Sequence, residues 1–72
     1  MQNRLREMRE KFGLTQEEVA AYAGVSRQTI ISLEKGKYNP SITLAYSLSK
    51  LFNMSIEELF LLNERSREYD KK

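Results

Sequence analysis

Cysteine, histidine and tryptophan are absent from this chain, and proline occurs once, at Pro40. Without cysteine there are no disulfides, and without cysteine or histidine the usual structural zinc sites are excluded. No metal or cofactor is expected. The missing thiol also fits a cytoplasmic location. No apolar run approaches the roughly 20 residues of a membrane span, and the charged N-terminus has no signal-peptide apolar stretch. Charge of one sign is scarce too. Twelve Lys and Arg oppose ten Asp and Glu, a net of +2.

What remains is a single small domain of 72 residues. A core of that size supplies only a few kcal/mol of net stability, so regular helix packing or a second subunit must hold it. The charge is uneven. Residues 1–40 hold seven basic and five acidic groups, whereas residues 41–72 hold five of each. The small excess in the first half gives weak support for a face that meets an anion such as nucleic acid.

Helical periodicity dominates the chain, and no period-two alternation survives four residues, so the fold class is all-α with one core. A first helix is predicted from about Gln2 to Lys11 or Phe12, with Leu5, Met8 and Phe12 as its apolar stripe. Gly13 stops it. Thr15 caps a second helix, with Glu18 completing a capping box, and that helix buries Val19, Ala20 and Ala23. Gly24 ends it, and Ser26 caps a third helix whose Ile30 and Leu33 face inward. After Gly36, Lys37-Tyr38-Asn39-Pro40 forms a loop. Ser41 caps a fourth helix burying Leu44, Ala45, Leu48, Leu51 and Phe52, and Asn53 suits its end. Ser55 and Glu58 make a second capping box, opening a fifth helix with Ile56, Leu59 and Phe60 on its apolar face. The expected division is a domain over 1–62 and a polar tail over 63–72 with a lone Tyr69, which extends helix five briefly or stays mobile.

Residues 16–35 carry the strongest signal. Two short helices flank a three-residue turn, with small Ala20 where they meet, Gly24 in the turn and Val25 plugging it from inside. A helical hairpin that only completes a bundle explains these residues equally well. It does not explain why the third helix begins with three outward polar residues, Arg27, Gln28 and Thr29. That arrangement suits a second helix entering the DNA major groove. The adjacent carboxylates Glu17 and Glu18 point about 100° apart on their helix and cannot flank one substrate atom. They suit the helix dipole instead. With no histidine, no cysteine and no glycine-rich phosphate loop, an enzyme is not expected.

The segments Leu5-Arg6-Glu7-Met8-Arg9, Gly13-Leu14-Thr15-Gln16-Glu17-Glu18-Val19-Ala20, Gly24-Val25-Ser26-Arg27-Gln28-Thr29-Ile30, Leu33-Glu34-Lys35-Gly36-Lys37, Asn39-Pro40-Ser41 and Ser55-Ile56-Glu57-Glu58-Leu59-Phe60 together resemble the phage repressor and Cro family. This is the Xre, or Cro/C1-type, family of helix-turn-helix regulators, and the likeness extends over about residues 4–62. It is similar to the minimal single-domain bacterial and archaeal members. The resemblance implies a five-helix, lambda-repressor-like DNA-binding domain and a transcriptional regulator.

By side-chain chemistry, Arg27 can reach guanine O6 and N7, Gln28 can pair with the N6 and N7 edge of adenine, and Thr29 offers a hydroxyl or a methyl to thymine. Ser32 lies one turn beyond Gln28. The resemblance makes Arg27, Gln28 and Ser32 base-reading candidates, although Arg27 has the length to take a phosphate instead. Gln16 can present its backbone N–H and side-chain amide to a phosphate, and the resemblance makes it a backbone anchor. Lys35, Lys37, Tyr38 and Asn39 follow in a loop that would pass close to the other strand; Asn39 also suits capping the turn before Pro40. By resemblance, Arg9 and Glu34 form a structural ion pair between the first and third helices.

One such module reads too few base pairs to be specific, so a homodimer on double-stranded DNA is expected, without a membrane or a small-molecule ligand. The apolar run Leu59-Phe60-Leu61-Leu62 supplies Phe60, Leu61 and Leu62 as dimer candidates, with Leu61 or Leu62 the most exposed to a partner. The alternative function is a protein-interaction module, antitoxin-like or co-activator, that uses the same fold to hold another protein through the 63–72 tail.

Overall fold

The computed structural model describes residues 3–60. Within them lie five helices: α1 Leu5–Lys11, α2 Gln16–Ala23, α3 Arg27–Glu34, α4 Ile42–Leu51 and α5 Ile56–Phe60. No strand occurs among the described residues.

Local chemistry sets most helix ends. Thr15 accepts from the Glu18 backbone N–H, and the Glu18 carboxylate accepts from the Thr15 N–H at 2.8 Å. Glu18 is thus spent on the cap, as its place in the first turn suggested. Ser26 and Ser41 cap α3 and α4 in the same way, through Thr29 and Leu44. Ser55 and Glu58 exchange both bonds of a second box. At the other ends, Gly24 stands at φ 73 and Asn53 at φ 56, the left-handed region where a side chain clashes with the next carbonyl.

The start of α1 departs from expectation. Gln2 lies outside the described residues, and Asn3 and Arg4 are not helical. Asn3 explains the later start, because its carbonyl accepts the N–H of Leu5 at 3.0 Å while its amide donates to the Leu33 carbonyl at 2.8 Å. One side chain therefore begins α1 and adds a second donor to the Leu33 carbonyl, which also accepts the Gly36 N–H at 3.0 Å near the end of α3. The Arg4 N–H donates to the Leu59 carbonyl at 2.8 Å, which joins this start to α5.

The core is a single cluster contributed by all five helices, with Leu5, Val19, Ile30, Leu33, Leu48 and Leu59 fully buried. Ala23, Val25, Leu51 and Ile56 pack against it while half-buried. Every buried side-chain polar atom among the described residues has a partner, so the core contains no uncompensated desolvation of this kind. Phe12 corrects the expected stripe: it is 47% exposed, and its ring meets Phe52 edge-on with centroids 5.3 Å apart. The helix has already ended there, so Phe12 lies over the core's rim.

Phe60 requires a second correction. It is 1% exposed within one chain, so it is a core residue and is not available as a dimer contact. Leu59 and Phe60 both turn inward. Leu61, Leu62 and the tail over 63–72 with Tyr69 lie outside the described residues.

Arg9 and Glu34 tie α1 to α3. Arg9 Nε donates to Glu34 Oε2 at 2.6 Å and a second guanidinium N–H reaches Oε1 at 3.4 Å, with side chains only 13% and 6% exposed. A third guanidinium contact goes to the Leu14 carbonyl at 3.0 Å. The Glu34 hydrogen bond holds the Arg9 guanidinium above its ordinary range.

Two outcomes are expected in urea unfolding. Gly24→Ala costs about 1 kcal/mol. A Cβ at Gly24 would meet no atom within 4 Å, so the backbone angle is the whole cause, and Gly24→Asn loses less. Glu34→Ala leaves the Arg9 charge largely buried and costs about 3 kcal/mol, while the double change Arg9→Met with Glu34→Leu costs less than that single one.

Candidate nucleic-acid interface

The α2–turn–α3 unit presents one polar end. Ser26 caps α3 so that its first turn leaves Arg27 and Gln28 exposed, while Ile30 and Leu33 on the opposite side are fully buried. The recognition candidates are therefore held by a helix whose roll is fixed by the core. Ser32 lies half-buried one turn beyond Gln28. Thr29 is also half-buried, and its hydroxyl lies 3.0 Å from the Ser26 hydroxyl. The Thr29 hydroxyl thus has one partner at the cap and keeps capacity for another, and its methyl group is also available to a base.

Gln16 stands at the first position of α2, half-buried, and its side-chain amide donates to Glu34 Oε1 at 3.2 Å. A carboxylate only accepts, so it fixes which way the amide faces. One amide hydrogen is committed to Glu34, and the amide oxygen and second hydrogen remain for another partner. Glu34 thus serves α1 through Arg9 and α2 through Gln16 at once.

Around this junction lies a concavity of about 750 Å³, lined by Arg6, Gln16, Arg27, Ile31 and Lys35 among others. Arg9 and Glu34 also line it, but their charges cancel. Arg6 is paired with Glu10, and the remaining groups are Arg27 and Lys35 against Glu17, so the hollow carries a cationic excess. Sequence reasoning did not single out Arg6 or Ile31. The spacing contained the signal for both: Arg6 is three residues before Arg9, and Ile31 is four after Arg27. Arg6 holds Glu10 at 3.1 Å in a surface pair with side chains 72% and 56% exposed, a contact weak enough to exchange for an anion.

Lys35 is the C-cap of α3, and Lys37, Tyr38 and Asn39 are exposed in the following loop. Tyr38 is 44% exposed. The structure places Gln16, Arg27 and Lys35 around one hollow, with Gln28 beside Arg27 on the exposed first turn. Among the described residues no three His, Cys, Asp or Glu side chains converge as metal ligands. No helix among them is long and apolar enough to cross a membrane.

Comparison with known proteins gives this geometry its setting. Residues 5–59 match the helix-turn-helix family. An HTH-type transcriptional regulator of Archaeoglobus fulgidus is 55% identical over 64 residues, covering 89% of this chain and 91% of that one. Among solved structures, the restriction-modification controller protein C.AhdI from Aeromonas hydrophila superposes with a TM-score of 0.71 at 35% identity, covering 79% of this chain and 86% of that chain. The N-terminal DNA-binding domain of SinR from Bacillus subtilis superposes with a TM-score of 0.68 at 29% identity, covering 75% and 80%. The exposed first turn of α3, the five-helix arrangement and these likenesses agree: the chain belongs to the helix-turn-helix family of Xre, or Cro/C1-type, transcriptional regulators, which are DNA-binding proteins and not enzymes.

Proposed function

We propose that the protein is a cytoplasmic repressor that binds a short palindromic DNA operator as a homodimer, with α3 of each copy in the major groove. The observation that carries this reading is the first turn of α3, where Arg27 and Gln28 are exposed on a helix whose inner face is locked by Ile30 and Leu33. In it Gln28 reads adenine, Arg27 takes guanine or the adjoining phosphate, and Thr29 and Ser32 touch neighbouring base edges. Gln16, oriented by Glu34, holds a phosphate together with the backbone N–H at the start of α2. Lys35, Lys37, Tyr38 and Asn39 hold the sugar–phosphate chain on the far side of the groove, and Arg6 adds a cation at the hollow beside Gln16.

A single copy contacts too few base pairs to select one site in a genome. Two copies on a twofold axis read half-sites about 34 Å apart, which is one turn of DNA. Repression follows from occupancy of a promoter.

Selection of bound sites from a random DNA library is expected to return an inverted repeat. On that operator Gln28→Ala costs about 1–3 kcal/mol and relaxes preference at one position in each half-site, read by titration against operators changed one base pair at a time. Unaltered sequence preference in that variant would contradict the assignment. Lys37→Ala behaves differently. It weakens every sequence by a similar factor and makes the log–log salt slope shallower by about 0.9 for the one phosphate lost. A loss confined to particular base pairs would move Lys37 from the phosphates to the bases.

A further inference from the structure

With Phe60 inside the core, the apolar surface left open among the described residues lies on another helix. Helix α4 is apolar on two sides. Leu44, Ala45 and Leu48 enter the core, while Ile42 is 77% exposed and Tyr46, one turn further on, is 55% exposed. Single exposed apolar residues are ordinary, but these two are neighbours at i and i+4. They also adjoin a groove between α4 and α5 lined by Tyr46, Lys50, Met54, Ile56 and Glu57. Met54 and Ile56 pack on the core from below and leave part of their surface in the groove.

The charges around this groove are arranged for self-pairing. Lys50 comes from α4 and lies 5.6 Å from the centre of the Tyr46 ring. Glu57 comes from the first turn of α5. A patch with its cation on one helix and its anion on another becomes complementary to itself after a twofold rotation. We infer that the Ile42–Tyr46 face of α4 and the adjoining α4–α5 groove are the surface on which a second copy of this chain seats, with Lys50 of each copy against Glu57 of the other. This rests on the dimeric DNA-binding reading above and specifies its interface. Helix α3 packs on α1 and α2, whereas α4 packs on α2 and α5, so a copy seated here leaves the DNA-facing turn of α3 open.

Charge exchange tests the pairing. In sedimentation equilibrium at micromolar concentrations the wild-type chain is a dimer, and Lys50→Glu and Glu57→Lys each weaken self-association by about tenfold or more, because each sets like charges together twice. Equal amounts of the two single variants, mixed, form a heterodimer in which both contacts are again attractive. The double variant returns to a homodimer. Ile42→Ser, which leaves the charges alone, loosens the wild-type dimer. Circular dichroism confirms that each variant is helical, and recovery in the mixture shows that neither single change merely unfolds the chain. A wild-type dimer that both single variants preserve, or single variants that stay monomeric when mixed, overturns this interface and leaves the dimeric reading standing. A wild-type chain that is monomeric in solution and on its operator overturns both and leaves the groove to the chain's own residues 61–72 or to another protein.

Discussion

The Glu34 carboxylate is the junction on which the presentation of α3 depends. It sits at the last position of α3, accepts two hydrogen bonds from Arg9 of α1 and one from Gln16 at the start of α2, and is almost wholly shielded from water. A buried carboxylate without partners would be costly; with these partners it fixes the distance and roll of three helices at one point. The core alone would allow α3 to slide by small amounts over its apolar neighbours. Directional hydrogen bonds from two sides do not. The same atom set therefore stabilises the domain and determines where the α2 N-terminus stands relative to the first turn of α3.

This arrangement suits a chain with no covalent staples. Stability in so small a domain comes from many local agreements: four side-chain helix caps, a core that leaves no polar side chain stranded, and one shielded ion pair. Each is modest, and together they leave the polar end of α3 free of any structural duty except at Thr29. Among the described residues Arg27 and Gln28 make no side-chain hydrogen bond or ion pair, and the backbone beneath them sets their position. A surface built in this way can change its side chains with little consequence for folding.

Much of this was legible in the sequence because it is local. Capping residues and the glycine and asparagine stops act over three or four positions, so Thr15, Ser26, Ser41 and Ser55 announce the helix starts without knowledge of the fold. What escaped depends on distant partners. Asn3 begins α1 by reaching Leu33, thirty residues away, and nothing near Asn3 signals that contact. The run from Leu59 to Leu62 has no polar residue to say which side faces in, so Phe60 stands in the sequence both on the apolar face of helix five and among the dimer candidates, and only the fold places it in the core. Phe12 kept the spacing of the stripe but lies beyond the helix end that would have turned it to the core. At the polar end, the fold brings Gln16 and Arg27 to one hollow and leaves Gln28 exposed on the same turn of α3 as Arg27. That the Thr29 hydroxyl has a partner at the cap, and that Glu34 orients Gln16, depends on side-chain geometry that spacing does not encode.

The bond from the Arg4 N–H to the Leu59 carbonyl closes the described domain on itself. Because donor and acceptor are both main-chain groups, the seam it makes between the start of α1 and α5 does not depend on which side chains stand at positions 4 and 59. Only proline at position 4, which has no N–H to give, would remove it.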